Sequence, residues 1–266
     1  MEIARRFLFH GHACAYSGRL YRPKDITIPS PASAALSITG GVSFAEGKRQ
    51  RFPPFMTVGK CSASAKGQFD DRKRAVEMTH GRLGEDALTS STVCAATVED
   101  IELDEKRFRV KYLNAVLQAS SPSKGNEPGI RLGRQTVIRG VSMDEHELAV
   151  TLDVSRFQSA DSFDAILKTG RTSVKKGEGP ILQNHGDVLY TTIVRGMKWV
   201  GKAHPTAVID GHELYVPGFG RVYFGELVVD RSSRRLTLVR AHLGSPIGLR
   251  VGFGDVGSNG SWYPPT

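Results

Sequence analysis

The sequence predicts an all-β protein, mainly antiparallel: a sandwich, a barrel or two packed sheets, with long Gly/Pro-rich loops and few short helices. Three observations carry this. Apolar and polar residues alternate over several segments, the period-two pattern of a half-buried strand. Helical periodicity is scarce. Three similar turns, each built around Asp, lead into alternating runs, so hairpins recur.

Taken in chain order, residues 7–16 read as a first strand. Residues 91–103 carry Val93, Val98, Ile101 and Leu103 among small polar residues. Residues 107–119 alternate Phe108, Val110 and Tyr112 with Arg107, Arg109 and Lys111. Leu148, Val150, Leu152 and Val154 share a face of 147–154. Segments 221–229 and 235–243 flank Asp230 to Arg234 and read as a hairpin with a longer loop. The recurring turns begin at Asp104, Asp144 and Asp210. Short helices are expected over 161–168 and around 72–78, and loops over 28–32, 52–55, 120–129 and 171–187. Residues 252–266, rich in Gly, read as irregular. The whole, 1–266, is expected to form a single β-rich domain, with 171–187 the place for any subdivision.

Composition narrows the class. Three cysteines in 266 residues exclude a disulfide scaffold and agree with a reducing compartment. His10, Gly11 and His12 interrupt the apolar start of the chain and no run of about 18 apolar residues occurs, so neither an export signal nor a membrane-spanning helix is expected and the expected location is cytoplasmic. The 36 Lys+Arg against 27 Asp+Glu give a net charge of +9. The cations fall in clusters at 48–51, 72–74, 175–176 and 234–235, and are expected to be solvated charge unless folding gathers them on one face.

Four familiar motifs match in letters and fail in context. Gly252-Phe253-Gly254-Asp255-Val256-Gly257 lacks room for the helix whose amides would hold a pyrophosphate. Gly196 to Lys202 has phosphate-loop spacing, but Ala203 stands where a hydroxyl must reach magnesium. His146-Glu147 and His212-Glu213 lack a second His four residues on. Asn259-Gly260-Ser261 is a glycosylation sequon without an export signal.

Three constellations remain. His10, His12 and Cys14 would share one face of a strand, and two imidazoles with a thiolate are a donor set for zinc or another divalent metal. His185 and Asp187, with His212 and Glu213, lie on turns and would supply an oriented general base. Glu226, expected on one face with Phe224 and Val228, would pair across the hairpin with Arg240, which is expected with His242 on the face of Leu236 and Leu238. Cys61 and Cys94 are expected in the core. Most aromatics of the last third are expected there too, with Phe219 and Trp262 as candidates for a stacking platform.

These readings point first to a binding or structural/assembly protein without its own catalysis, its ligand a polyanion, a glycan or a partner subunit, including a second copy in a homo-oligomer. The alternative is a metal-assisted or His/acid-dependent hydrolase or lyase.

Overall fold

A computed structural model describes residues 6–71, 75, 88–123, 128–168, 183–244 and 246–263. Among these the chain runs through β1 (Arg6–Arg22), β2 (Ile26–Ile28), β3 (Ser33–Ala35), β4 (Gly41–Gly47), β5 (Gln50–Phe52), β6 (Met56–Val58) and β7 (Cys61–Phe69). It continues with β8 (Thr89–Leu103), β9 (Phe108–Pro122), β10 (Gly129–Leu132), β11 (Val137–Met143), β12 (His146–Leu152) and the short helix α1 (Val154–Ser159). Then follow β13 (Gln183–His185), β14 (Val188–Thr192), β15 (Val194–Val200), β16 (Val208–Asp210), β17 (Glu213–Val216), β18 (Gly220–Val229), β19 (Ser233–Leu243) and β20 (Gly248–Tyr263). A further helical turn covers 163–168. None of the described helices is long and apolar enough to cross a membrane.

Among the described residues the strands form two ten-stranded antiparallel sheets packed together, one of the architectures in the all-β expectation. The first sheet runs β13-β14-β18-β19-β20-β1-β2, with β17 and β16 beside β18 and β3 on β1. The second runs β15-β12-β11-β9-β8-β6-β5, with β7 and β4 beside β8 and β10 on β9. One core cluster joins the inner faces, where β1 and β20 lie over β8 and β9. Burying these inner faces from water is the main force holding the layers together.

The repeated turns are hairpins, as their chemistry predicts. Asp144 and Glu145, both at positive φ, make the two-residue connection between β11 and β12. Asp104 to Lys106 turn β8 into β9, and Gly211-His212 joins β16 to β17. These φ values match the right-handed twist of the flanking strands.

Each sheet also contains a row where alternation breaks. Ala15 and Tyr16 on β1, Phe253 and Gly254 on β20, Leu238 and Val239 on β19, and Phe224 and Gly225 on β18 are consecutive pairs that are both buried. Register aligns them: Tyr16, Phe253, Val239 and Phe224 lie opposite one another in that order. Gly254 (φ +63°) and Gly225 (φ +59°) provide the left-handed backbone that lets two successive residues face the same way. In the second sheet Asp100, Lys111 and Gly140 form a matching row, in which consecutive residues face outward.

Three expectations are corrected here. Residues 252–266 are not irregular: as far as they are described, they continue β20, a sixteen-residue strand hydrogen-bonded to β1 on one side and β19 on the other. Their glycines make room for neighbours rather than for a phosphate. A Cβ on Gly257 would stand 2.2 Å from the ring of His12. The Asp230 loop is tight, with Asp230 accepting from the Ser232 and Ser233 amides, so Ser233 and Arg234 already belong to β19. Arg234 is not solvated charge. It is 3% exposed and donates to the carbonyls of Ile130, Ala160 and Asp161, tying β19 to β10 and to the end of α1. The helix expected around 72–78, apart from residue 75, and most of the 171–187 segment lie outside the described residues. Residues 183–187 open the β13–β14 hairpin.

Candidate functional site

The solvent face of the first sheet carries the candidate site. Its residues are placed there by the break in alternation. After Phe224 and Gly225 both turn inward, Tyr223 and Glu226 both face outward; on β19, Thr237 and Arg240 do the same around Leu238 and Val239. The expected grouping of Glu226 with Phe224, and of Arg240 and His242 with Leu236 and Leu238, is thereby overturned. Those apolar partners are fully buried, whereas the polar residues are on the opposite face.

The Glu226–Arg240 pair forms as expected, though diagonally, because Glu226 lies opposite Thr237 and Arg240 opposite Tyr223. Arg240 Nε donates to Glu226 Oε2 and Nη2 to Oε1, each at 2.5 Å. The guanidinium lies 4.2 Å over the Tyr223 ring, and its Nη1 reaches His242 Nε2 at 2.7 Å. His212 Nε2 stands 3.9 Å from Glu226 Oε1, beyond hydrogen-bond range but near enough to favour the carboxylate. Burial works against ionisation of Glu226; the Arg240 fork, with His212, outweighs it and holds the carboxyl at about 2. Burial lowers the His242 pKa, and Arg240 and Arg250 lower it further.

Around this pair lies an open cavity of about 600 Å³, lined among others by Tyr190, His212, Glu213, Arg235 and Thr237. Its other charges are also matched. Arg221 Nη1 donates to Glu213 Oε1. Arg235 forks onto Asp255, with Nε to Oδ1 at 2.8 Å and Nη2 to Oδ2 at 2.5 Å, and Thr237 Oγ1 donates to the same carboxylate at 3.3 Å. Bidentate pairing fixes these side chains in orientation as well as charge.

Of the four residues expected to do acid–base work, the structure brings His212 and Glu213 to the cavity and leaves His185, at the end of β13, and Asp187, on the turn after it, exposed. His185 touches Tyr190, ring to ring at 5.8 Å, and Asp187 Oδ1 accepts from Arg231 Nε at 3.4 Å. His10, His12 and Cys14 do share the outer face of β1, since the break in alternation comes only at Ala15. Their contacts lead elsewhere, however. His10 Nδ1 bonds Asn259 Oδ1, the His10 and His12 rings are 6.4 Å apart, and Cys14 Sγ reaches Ser30 Oγ at 3.2 Å. Among the described residues no three His, Cys, Asp or Glu side chains are grouped to hold a metal ion. Cys61 and Cys94 are buried, and burial raises the Cys94 thiol to about 12. Phe219 is buried against Phe108, and Trp262 packs on Phe7 and Phe69 with Nε1 donating to Ser121 O, so neither forms an open platform.

Reading the sequence missed Tyr223, Arg235 and Thr237 as lining residues. Alternation would have found them only with the break at Gly225 and Leu238 already known.

A second polar assembly closes one end of the sandwich. Arg107 forks onto Asp144 (Nε to Oδ1 2.9 Å, Nη2 to Oδ2 3.0 Å) and donates to Gly218 O at 3.1 Å. His204 Nε2 bonds the same Asp144 at 3.0 Å, while its Nδ1 accepts from the Thr206 and Ala207 amides. Four turns from both sheets are thus tied to one carboxylate.

No curated protein matches the chain, and no solved structure does either. One family model matches residues 7–183, which carry most of the second sheet and β1 to β3, while the cavity residues from Tyr190 onward follow it. The chain therefore belongs to the family described as "Domain of unknown function (DUF8256)".

Proposed function

We propose that this chain is a β-rich binding protein without catalysis of its own, and that the cavity on the first sheet takes a glycan. The carrying observation is that Glu213, Glu226, Arg235 and Arg240, the charged residues of the lining, each already have an opposite charge. A ligand entering there meets no uncompensated charge. It is recognised by hydrogen bonds to His212 and Thr237 and by the rings of Tyr190 and Tyr223. A hydroxyl-rich molecule with apolar C–H faces suits that surface. Proton transfer is less well served. A carboxyl at about 2 is no proton donor near neutrality, and both its oxygens are occupied by Arg240.

The test is saturation-transfer NMR of the intact protein against a panel of oligosaccharides, with Tyr223→Ala and Thr237→Val as variants. Binding is expected, weakened about tenfold by either substitution, a loss of roughly 1.4 kcal/mol. No transfer to any oligosaccharide at millimolar concentration, or transfer unchanged in both variants, overturns the reading. Turnover of a bound oligosaccharide that Glu226→Gln abolishes would replace it with the hydrolase.

A further inference from the structure

Beside the cavity, four cationic or imidazole side chains cross the first sheet in one straight row. Arg221 on β18 lies directly opposite His242 on β19, His242 opposite Arg250 on β20, and Arg250 opposite Arg19 on β1. All four are on the solvent face. Adjacent strands are about 4.8 Å apart, so the row spans about 14 Å. Like charges directly opposite on a sheet are destabilising, and a surface has no packing reason to align them.

The two ends of the row are neutralised and its centre is not. Glu213 pairs with Arg221, and Asp25 accepts from Arg19 Nε at 2.7 Å. Arg250 is exposed, packs 5.7 Å over the Tyr21 ring, and takes part in none of the ion pairs among the described residues. His242 accepts from Arg240 through Nε2, so its Nδ1 is the protonated, donating nitrogen. The groups facing His242 are Arg240 on its own strand, Arg221 and Tyr223 on β18, and Arg250 on β20, with Glu226 further off. The surplus positive charge at Arg250 therefore lies directly across the strand pair from His242, which is one hydrogen bond from the Glu226–Arg240 pair.

We propose that Arg250 and His242 form an anion subsite that binds the carboxylate or sulfate of an acidic sugar whose hydroxyls occupy the neighbouring cavity. This rests on the glycan reading and names the class of glycan. The anion supplies the charge that the row lacks, and its oxygens accept from the Arg250 guanidinium and from His242 Nδ1. An anion there also favours the imidazolium, reversing the effect of the surrounding arginines.

Two measurements test it on the intact protein. In the first, inorganic sulfate is titrated while the histidine imidazoles are followed by NMR. The His242 resonances should move saturably and its pKa should rise, and Arg250→Gln should weaken sulfate about tenfold, with Arg250→Lys recovering part of it. In the second, a sulfated oligosaccharide is compared with its desulfated form. The sulfated form should bind more tightly, and Arg250→Gln should erase that preference without reducing binding of the desulfated form. A His242 signal indifferent to sulfate, or equal binding of the two sugars by the wild type, overturns the anion subsite and leaves the glycan reading standing. Sulfate binding without binding of either sugar overturns the glycan reading and, with it, the ligand class assigned here. Sulfate binding at adventitious sites only, unchanged by Arg250→Gln, also overturns the subsite.

Discussion

Replacing Gly254 by Ala tests whether the row of broken alternation is held by backbone conformation. Gly254 has φ +63°, and an Ala there costs about 1–2 kcal/mol in the left-handed region. Its Cβ would also stand 2.8 Å from Leu113 Cδ1, 3.4 Å from Leu238 Cβ and 3.5 Å from Ala115 Cβ. Leu113 and Leu238 are fully buried and come from opposite sheets, so relief requires the layers to separate or a leucine to change rotamer, at about 1–3 kcal/mol. The total is about 2–5 kcal/mol, and each kcal/mol lowers Tm by about 2–4 °C in a chain of this size. Gly252, two residues away on the same strand, is the control. Its φ lies outside the left-handed region, and the nearest atom to an added Cβ is Thr237 Cγ2 at 3.6 Å. Gly252→Ala should therefore stay within about 0.5 kcal/mol of wild type. Equilibrium urea denaturation of both variants measures the difference. Equal losses would refute the reasoning, because β20 would then be sensitive to any added methyl and the left-handed turn would carry no special cost.

Three further outcomes follow from the charged groups. Glu226 falls from an ordinary 4.5 to about 2 on folding, so its contribution is complete above pH 4.5 and lost as pH falls towards 2; it amounts to about 3 kcal/mol before solvent screening. Stability curves of wild type and Glu226→Gln should converge over that window, and curves that stay parallel would contradict the assignment. Asp144→Ala removes the acceptor shared by Arg107 and His204 and should cost about 3 kcal/mol, with a coupling of about 1–3 kcal/mol to Arg107→Ala in a double-mutant cycle; additive losses would show that the turns are held by other contacts. Arg234→Met leaves the carbonyls of Ile130, Ala160 and Asp161 without this donor and should destabilise by about 3 kcal/mol, with the earliest loss of amide-exchange protection around β10 and α1; uniform loss across both sheets would refute the local clamp.

The sequence by itself determined the all-β class and the positions of several long strands, β8, β9, β18 and β19 among them, because side-chain alternation and turn chemistry are local properties. Phe108, Val110 and their polar neighbours mark β9 wherever it pairs, and Asp144-Glu145 makes a hairpin turn whatever lies beyond it. It also put His10, His12 and Cys14 on one face, since no break intervenes. It could not place Tyr223 beside Glu226, or Arg240 away from Leu238. One left-handed residue shifts every later side chain to the other face, and a glycine's φ is set by its neighbours in the sheet. The same limit hid the central strand at 248–263, whose glycines read as irregular until β1 and β19 brought His12 and Phe7 against them. Nor could local pattern align Arg221, His242, Arg250 and Arg19, which are distant in sequence. That row exists only because four strands pair in one register, and pairing between distant segments is decided when the two inner faces are buried together.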